Sequence, residues 1–372
     1  MFSQADHHHM ARALQAAESV RHLTRENPRV GAVVVQADSV VGVGATQPPG
    51  QSHAEVMALA QAGQRARGAT LYVTLEPCNH HGKTPPCVDA IIQAGLRRVV
   101  VASIDPNPQV NQQGIQRLQA AGIQVDCGLM TASAEALNPG FIRRMQGGLP
   151  WVTMKLACSL DGATAMSSGE SKWITGPEAR KDVQRMRARS GAIVSGIGTL
   201  LADDPSLNVR WAQCGLDPAP LGIADQPLRV VMDRQALTPP QGQWARSTGA
   251  KLVVHEPGPE TRVNSLQAAG VETLELAQVT PKALLMRLAQ RGVNEVLIEA
   301  GPRLAGAWMQ SGCVDRLVIF QAPLLMGSET RPLMHTPGLT ALSNAWRLTL
   351  ESHRQIGVDQ RFEYTVESHG TE

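Results

Sequence analysis

The chain has 372 residues, of which 34 are lysine or arginine and 32 are aspartate or glutamate, so its formal net charge at pH 7 is only +2. Aromatic residues make up 3% of the sequence, and no extended basic run occurs. Proteins dedicated to nucleic acids normally present a basic face, with stacking aromatic side chains where the target is single-stranded. Composition therefore disfavours a nucleic-acid partner, and the length predicts two domains of roughly 150 to 220 residues.

Compartment and cysteine usage are the next constraints. The sequence has no apolar signal segment at its start and no apolar run near the ~18 residues of a membrane span, so we expect a cytoplasmic protein without membrane association. A reducing compartment would keep the cysteines as thiols. Only Cys78 and Cys87 have a spacing with chemical meaning. We expect the other four to be buried free thiols: Cys127, Cys158, Cys214 and Cys313.

Strand-like apolar runs alternate with helical periodicity up to about residue 148, which predicts an α/β/α layer around a largely buried sheet. The predicted strands span 30–35, 40–44, 70–74, 98–102 and 123–127. The predicted helices span 5–21, 54–64, 88–94 and 112–121. Two glycines and a proline within 147–150 predict a linker, so we divide the chain into domains 1–148 and 149–372.

A histidine, a glutamate and two cysteines in the first domain have the composition of a catalytic zinc site. Such a zinc typically takes three protein ligands and leaves a position for water, whose pKa it lowers from about 15.7 towards ~7. We predict one zinc per chain, held by His53, Cys78 and Cys87. Glu55, two residues after the histidine, is then the unligated carboxylate that moves protons in a hydrolytic deaminase.

The spacing of the two cysteines departs from the deaminase signature H-x-E followed by P-C-x-x-C. Eight residues separate them here, which inserts the loop 79–86 across the metal site. Cys87 follows two prolines at a predicted helix start, where free amides and the helix dipole favour a thiolate. His80 could be either a substrate contact or a solvated loop side chain, and we also predict substrate contacts for Lys83 and for Asn27, which offers both donor and acceptor groups to a pyrimidine edge.

Two other interpretations have to be weighed against a zinc enzyme with two activities. In the first, the metal is structural and the second half senses a nucleotide. In the second, a single-activity zinc nucleobase or nucleotide deaminase carries a non-catalytic nucleotide-binding domain. Structural zinc sites usually close all four positions with protein ligands, so three ligands beside a spare carboxylate favour catalysis.

The second half repeats the α/β alternation without another H-x-E pattern or cysteine pair. Its predicted strands span 151–156, 192–195, 229–232, 251–254, 296–299 and 316–320, and 211–226 is predicted to be an exposed loop. Gly196 and Gly198 follow a strand but lack the third glycine of a Rossmann fingerprint. A better phosphate cradle is 299–307, where a strand end turns into a helix with free amides. Two such turns on adjacent strands could hold a pyrophosphate.

Together these patterns resemble one family closely, the bifunctional riboflavin-biosynthesis deaminase/reductase. The matching motifs run through both halves: Asn27-Pro28 with Val30-Gly31, His53-Ala54-Glu55, Thr74 to Cys78, His80-His81-Gly82, Thr84 to Cys87, Lys155-Leu156, Ser159 to Gly162, Ser168 to Ser171, Trp173-Ile174-Thr175, Asp203-Asp204-Pro205 and Glu299 to Pro302. The long gap between the cysteines is similar to this family's form. The resemblance implies a cytidine-deaminase-like α/β/α domain, followed by a dihydrofolate-reductase-like α/β domain that uses NADPH.

The resemblance also implies roles for residues of the second half. By matching positions, the cofactor would be contacted by Ala157, Trp173, Thr199, Asp203, Gly301, Pro302, Arg303, Leu304, Ala305, Gly306 and Ala307. The substrate would be contacted by Ser171, Arg187, Leu207, Arg210 and Glu299, the two arginines being suited to bidentate phosphate binding. Lys155, Asp203 and Glu299 remain alternatives for the proton donor, and a homodimer through the reductase half is expected.

Arg234 departs from the family, because a small hydroxyl residue is expected after the aspartate at 233. A guanidinium fork fits a phosphate well. We therefore hypothesise that Arg234 contacts the 2′-phosphate of NADPH.

Overall fold

The chain divides into two compact units, Met1–Leu149 and Pro150–Glu372. The structure is a computed structural model that describes residues 1–82, 84–108, 110–216 and 226–367. Among these residues, no helix has the length and apolar character needed to cross a bilayer.

The first unit is an α/β/α layer, as predicted. Its elements in chain order are α1 Gln4–Ser19, β1 Gly31–Gln36, β2 Ser39–Ala45, α2 Ala54–Ala62, β3 Thr70–Leu75, α3 Cys87–Ala94, β4 Arg98–Ser103, α4 Gln113–Ala120, β5 Gln124–Cys127, α5 Thr131–Ala136 and α6 Pro139–Met145. The strands form one sheet in the order β2-β1-β3-β4-β5, antiparallel across the first three strands and parallel from β3 to β5. All five predicted strands and four predicted helices are present, with ends shifted by one or two residues.

Alternating side chains of the central strands fill two separate cores. Residues such as Val34 and Val73 pack on one face against α2 and α3, whereas Val33 and Val100 pack on the other face against α1. This period of two follows from the pleat of a strand whose two faces are both covered.

Two glycines of β2 bring α2 unusually close to the sheet. A Cβ added at Gly42 would lie 2.1 Å from the carbonyl oxygen of Ala58, and one at Gly44 would lie 2.1 Å from that of Ala54. Only glycine fits such a contact, so these residues fix the start of α2, which carries Glu55 and follows directly on His53.

The second unit is also α/β. Its elements are β6 Trp151–Cys158, β7 Ala163–Met166, α7 Pro177–Arg189, β8 Ala192–Gly196, α8 Ile197–Asp203, α9 Trp211–Cys214, β9 Leu228–Met232, α10 Gln243–Arg246, β10 Lys251–His255, α11 Glu260–Ala268, β11 Glu272–Glu275, α12 Pro281–Gln290, β12 Glu295–Glu299, α13 Pro302–Gln310, β13 Arg316–Gln321, β14 Thr330–Pro332, β15 Leu348–Ile356 and β16 Asp359–Val366. The main sheet has the order β11-β10-β9-β8-β12-β6-β13-β16-β15, and β14 pairs separately with β7.

Parallel pairing runs from β11 to β13, and the last two strands join as an antiparallel hairpin. The sequence patterns did not predict this hairpin or the short strands β7, β11 and β14. The predicted loop 211–226 was wrong at its start, where 211–214 form α9; residues 217–225 lie outside the described part of the chain. The expectation of buried thiols holds for Cys158 and Cys214, whereas Cys127 is exposed and Cys313 is half-buried.

Candidate active sites

The three predicted metal ligands lie together. His53 immediately precedes α2, Cys78 follows β3, and Cys87 is the first residue of α3. Their ligand atoms all lie within 4.8 Å of one another, and His53 Nδ1 is 3.2 Å from Cys87 Sγ and 3.5 Å from Cys78 Sγ. Zinc bonds of about 2.0–2.3 Å in a tetrahedral arrangement place ligand atoms about 3.5 Å apart. This donor set therefore fits a zinc ion.

Glu76 fixes the strand end from which the first cysteine ligand emerges. Its buried carboxylate accepts hydrogen bonds from the backbone N–H groups of Asp105 at 3.2 Å, Gln112 at 3.0 Å and Gly114 at 3.2 Å. A Cβ at Gly114 would lie 2.3 Å from the carbonyl oxygen of Pro77, so the first turn of α4 packs directly against the metal-site loop. The hydrogen bonds of Glu76 and the packing of Gly114 against Pro77 thus fix the position of the loop that carries Cys78.

The carboxyl group of Glu55 is buried beside the ligands. Burial raises its pKa to about 7, and the Cys78 thiol adds to this increase. The hydrogen bond from Cys87, with a further one from His53, lowers the pKa of the Cys78 thiol to about 4. His53 Nε2, on the far side of the ring, lies 3.5 Å from Thr84 Oγ1 in the inserted loop. The hydrogen bond with Cys78, together with burial, raises the pKa of the Cys87 thiol. The site therefore combines a thiolate at Cys78 with a carboxyl group that can exchange a proton near neutral pH.

Three further residues, His80, Lys83 and Asn27, were predicted to contact the substrate of this site. His80 is half-buried and its Nδ1 has no hydrogen-bond partner among the described residues, which leaves both of its predicted roles open. Lys83 lies outside the described residues. Asn27 is half-buried in the bend before β1, next to a segment anchored by Asn138, which accepts from the Arg29 N–H at 2.7 Å and donates to its carbonyl at 2.9 Å.

A large cavity in the second unit opens at the carboxyl ends of β6, β8, β9 and β12, the edge where parallel α/β sheets bind ligands. Its volume of about 1490 Å³ exceeds the ≈ 300–1,000 Å³ of most single-ligand pockets, so it has room for two ligands. Ten of the residues predicted to contact cofactor line it: Ala157, Trp173, Thr199, Asp203, Arg234, Gly301, Pro302, Arg303, Leu304 and Ala307. So do all five predicted substrate contacts of the second half: Ser171, Arg187, Leu207, Arg210 and Glu299.

Two strand-to-helix turns stand side by side in this cavity, as predicted. The strands β8 and β12 pair in parallel, and each leads through a glycine, Gly196 or Gly301, into a helix. The hydroxyl of Ser195 donates to the carbonyl of Glu299 at 2.7 Å and ties the two strand ends together. The amides that open α13 have no partner within their own helix, so this turn suits a phosphate group.

Two residues of the predicted cofactor segment 301–307 do not line the cavity. Ala305 is fully buried, and Gly306 packs against the carbonyl oxygen of His335, which would lie 1.9 Å from an added Cβ. The helical period turns these two residues away from the cavity.

Arg187 and Glu299 form a bidentate ion pair in the cavity wall, with N–O distances of 2.5 and 2.9 Å. Arg187 Nη1 also donates to the carbonyl of Asn208 at 3.0 Å. This edge of the guanidinium faces Glu299, and the substrate contact expected for Arg187 stays a prediction. Arg210 is exposed at the cavity and remains a phosphate contact candidate.

Lys155 lies opposite Glu299 across the β6–β12 pair and lines the same cavity. Burial would raise the pKa of Glu299, but the charges of Arg187 and Lys155 together lower it. Burial lowers the pKa of Lys155, only partly opposed by Glu299. This wall therefore holds one carboxylate and two cationic groups.

Three further predicted residues stand around the cavity. Arg234 follows β9, its side chain is 71% exposed, and its Nε lies 3.5 Å from Glu256 Oε1. Asp203 is 3.5 Å from Lys172 Nζ. Trp173 is largely exposed, with the guanidinium of Arg180 4.6 Å from its ring centroid.

Comparison with known proteins covers both units. Residues 3–103 match the cytidine and deoxycytidylate deaminase zinc-binding region, and residues 150–362 match the RibD C-terminal domain. The riboflavin biosynthesis protein RibD of Escherichia coli (strain K12) is 46% identical over 367 residues, which is 95% of this chain and 97% of the relative. This chain belongs to the RibD family.

Solved structures of the RibD family are similar to this chain over nearly its full length. The structure of Acinetobacter baumannii RibD, form 1, has a TM-score of 0.90 at 41% identity and covers 98% of this chain and 99% of that one. A diaminohydroxyphosphoribosylaminopyrimidine deaminase/5-amino-6-(5-phosphoribosylamino)uracil reductase from Thermotoga maritima has a TM-score of 0.84 at 29% identity, with 98% and 99% coverage.

The family settles the class of function. This RibD-family chain is a bifunctional deaminase and reductase of riboflavin biosynthesis, with a deaminase-like first domain and a RibD-type reductase domain. Two activities are thereby favoured over a single-activity deaminase. Zinc and a nicotinamide cofactor follow from the two domains, and the substrate is a small molecule.

Sequence reasoning missed some polar residues of this RibD-family cavity. Gln184 on α7 lines it between Arg180 and Arg187, and Arg331 and His335 also contribute to its wall. The spacing of four and three residues along α7 was the available signal, because such positions share one helix face.

Proposed function

We propose that the first domain hydrolytically deaminates 2,5-diamino-6-ribosylamino-4(3H)-pyrimidinone 5′-phosphate. The observation that carries this proposal is the convergence of His53, Cys78 and Cys87 beside the buried carboxyl group of Glu55. Water replaces the amino group on the ring carbon, and ammonia leaves.

One zinc per chain would be held by His53, Cys78 and Cys87. Bound zinc lowers the pKa of water, so that hydroxide is available near neutral pH. Glu55 takes up a proton and delivers it to the departing nitrogen, for which its position next to the ligands is suited. Asn27, His80 and Lys83 are proposed to contact the pyrimidine phosphate.

We further propose that the second domain reduces the ribosyl group of 5-amino-6-(5-phosphoribosylamino)uracil to ribityl with NADPH. The nicotinamide supplies a hydride for C1′ of the opened imine form. The paired turns at Gly196 and Gly301 support a pyrophosphate site, and exposed Arg234 at the end of β9 supports recognition of a 2′-phosphate.

Among the three candidates for the proton donor, Lys155 is favoured. Glu299 is engaged by Arg187 through both carboxylate oxygens, and Asp203 lies near the ammonium of Lys172. Lys155 lines the cavity with a pKa lowered by burial, which makes its ammonium a better acid.

We propose a homodimer through the reductase half and a cytoplasmic location. The outermost strand β15 is exposed along nearly its whole length, and its outer edge pairs with no described strand. An unpaired strand edge of this kind can bind a second copy of the chain. The six cysteines are all free thiols, which suits a reducing compartment.

The two activities can be tested in one experiment. The pyrimidine phosphate is supplied with and without NADPH, while ammonia release and nicotinamide absorbance are followed separately. We expect ammonia without cofactor, and NADPH oxidation only when both are present. No ammonia release by zinc-loaded protein, or NADPH oxidation that does not depend on the pyrimidine, would refute the assignment.

A further inference from the structure

The helix α7 turns a polar face towards the reductase cavity. Arg180, Gln184 and Arg187 share one face of the helix, and all three line the cavity. Arg180 lies over Trp173, and Arg187 is bound to Glu299. Gln184 is only 6% exposed, and the mechanism above gives it no role.

One end of the Gln184 amide is fixed by the protein. Its Oε1 accepts a hydrogen bond from the Arg210 N–H at 2.8 Å. Because a backbone N–H requires an acceptor, this contact assigns the oxygen and makes Nε2 the other end of the amide. No residue in the described ranges accepts a hydrogen bond from Nε2. Although the residue as a whole is buried, Nε2 is not among the donors sealed from solvent, so it is available to a ligand or water in the cavity.

The surroundings of this donor indicate the chemistry of its ligand. Gln184 accepts a hydrogen bond from the backbone N–H of Arg210, and the side chain of Arg210 is exposed at the cavity. Arg180 adds a second guanidinium on the same helix face. The carboxylate of Glu299 is already paired with Arg187. Amide and guanidinium donors in a wall with excess positive charge suit an oxyanion of the phosphate type.

We propose that Gln184 Nε2 donates a hydrogen bond to the phosphate of the reductase substrate, beside Arg210, and that Gln184 is therefore a substrate-binding residue. This inference rests on the proposed function, because it requires a substrate that carries a 5′-phosphate. A purely structural role would need only Oε1, which holds the Arg210 backbone.

The substitution Gln184→Glu separates the two roles. It keeps an acceptor for the Arg210 N–H and replaces the donor with a carboxylate oxygen that repels phosphate. We expect the KM for the phosphorylated substrate to rise roughly 10- to 100-fold. The KM for NADPH and the melting temperature should stay near those of the wild type. Gln213→Glu is the matched control, because Gln213 also lines the cavity but is exposed.

A dephosphorylated analogue of the substrate identifies the group that is contacted. Measured as a competitive inhibitor, it should have the same Ki for wild type and Gln184→Glu. If the glutamate variant does not fold, Gln184→Met removes the donor without adding charge, and it also removes the acceptor of the Arg210 N–H. Its KM for the phosphorylated substrate should rise about tenfold while the Ki of the dephosphorylated analogue stays unchanged.

Three results would overturn the inference. A Gln184→Glu variant with an unchanged KM would reduce Gln184 to a structural residue. An equal loss of affinity for the phosphorylated and dephosphorylated compounds would place the contact on another part of the substrate. Wild-type protein without reductase activity would overturn the proposed function together with this inference, and it is recognised before any variant is compared.

Discussion

Arg187 and Glu299 face each other in the cavity wall through two parallel hydrogen bonds, Nε to Oε1 at 2.5 Å and Nη2 to Oε2 at 2.9 Å, and each side chain is only 12% exposed. Removing one partner of a buried ion pair leaves an uncompensated charge. We expect Glu299→Gln to lower the free energy of unfolding of the second unit by about 3 kcal/mol. All six tryptophans lie between residues 151 and 346, so tryptophan fluorescence in urea reports on this unit alone.

Glu275→Gln provides the control for that measurement. Glu275 is an exposed residue of β11, so the same chemical change there should leave the urea midpoint within error. Equal stability of Glu299→Gln and wild type would mean that the pair contributes nothing to the unit.

The role of Glu55 as a proton carrier predicts a selective loss. Glu55→Gln should reduce ammonia release by roughly 10²- to 10⁴-fold, because the amide cannot accept and return a proton. Zinc content by elemental analysis and NADPH oxidation with the deaminated substrate should match those of the wild type. Loss of metal from this variant would instead identify Glu55 as a ligand.

The ligand role of Cys87 predicts loss of metal. Cys87→Ser replaces a thiolate with a hydroxyl, a poor zinc ligand, so we expect zinc content and ammonia release to fall together while reductase activity persists. Cys127→Ser is the matched control, because Cys127 is an exposed thiol of the same unit outside the ligand cluster. Full zinc occupancy in Cys87→Ser would rule out this ligand set.

The position of Arg234 predicts cofactor discrimination. Arg234→Ala should reduce the preference for NADPH over NADH by roughly 10- to 100-fold in kcat/KM, as expected for loss of a charge-assisted contact with the 2′-phosphate. Arg246→Ala, at an exposed arginine away from the cavity wall, should leave the preference unchanged. An unaltered preference in Arg234→Ala would end the hypothesis.

The lowered pKa of Asp6 predicts how the stability of the first unit changes at acidic pH. Burial would raise its pKa, but hydrogen bonds from Arg98 at 2.7 Å, Tyr72 at 2.8 Å and the Ser3 N–H at 2.8 Å hold it well below its usual value. A carboxyl group with a lowered folded-state pKa stabilises the fold above its unfolded-state pKa of about 3.9, and this contribution is lost as the pH falls further.

Asp6→Asn should therefore lower the free energy of unfolding by about 2 kcal/mol at pH 7 and flatten its dependence on pH below about 4. Zinc release into a coloured chelator during urea unfolding measures this unit separately. Asp38→Asn, in the exposed turn between β1 and β2, is the control. An acid response in Asp6→Asn as steep as in wild type would show that other groups dominate.

The first unit could be predicted well from sequence because its signals are local. Valine-rich strands such as 31–36 are buried on both faces, and the H-x-E pattern marks a helix start directly. The hairpin β15–β16 was missed because β15 is exposed along most of its length and alternates apolar residues only at its start, although Phe362, Tyr364 and Val366 alternate with polar residues in β16.

Polar contacts between residues far apart in the chain also could not be predicted from the sequence. No sequence pattern indicated that Arg187 pairs with Glu299, a residue 112 positions away. Gln184 lies in none of the recognised motifs, and the motif Thr74 to Cys78 does not indicate the partners of Glu76. Their roles appear only when the backbone amides of Arg210 and Gly114 are brought to them. Residue type alone does not specify such partners.

The carboxylate of Glu76 has a consequence for the biosynthesis of the protein itself. Its amide partners extend to Gly114, 38 residues further along the chain, so the loop that carries Cys78 is not secured until the ribosome has translated that segment. A nascent polypeptide that ends earlier presents its thiols on an untethered loop. The loop that presents Cys78 is therefore completed only after residue 114 has been added, by the carboxylate of a residue outside the ligand set.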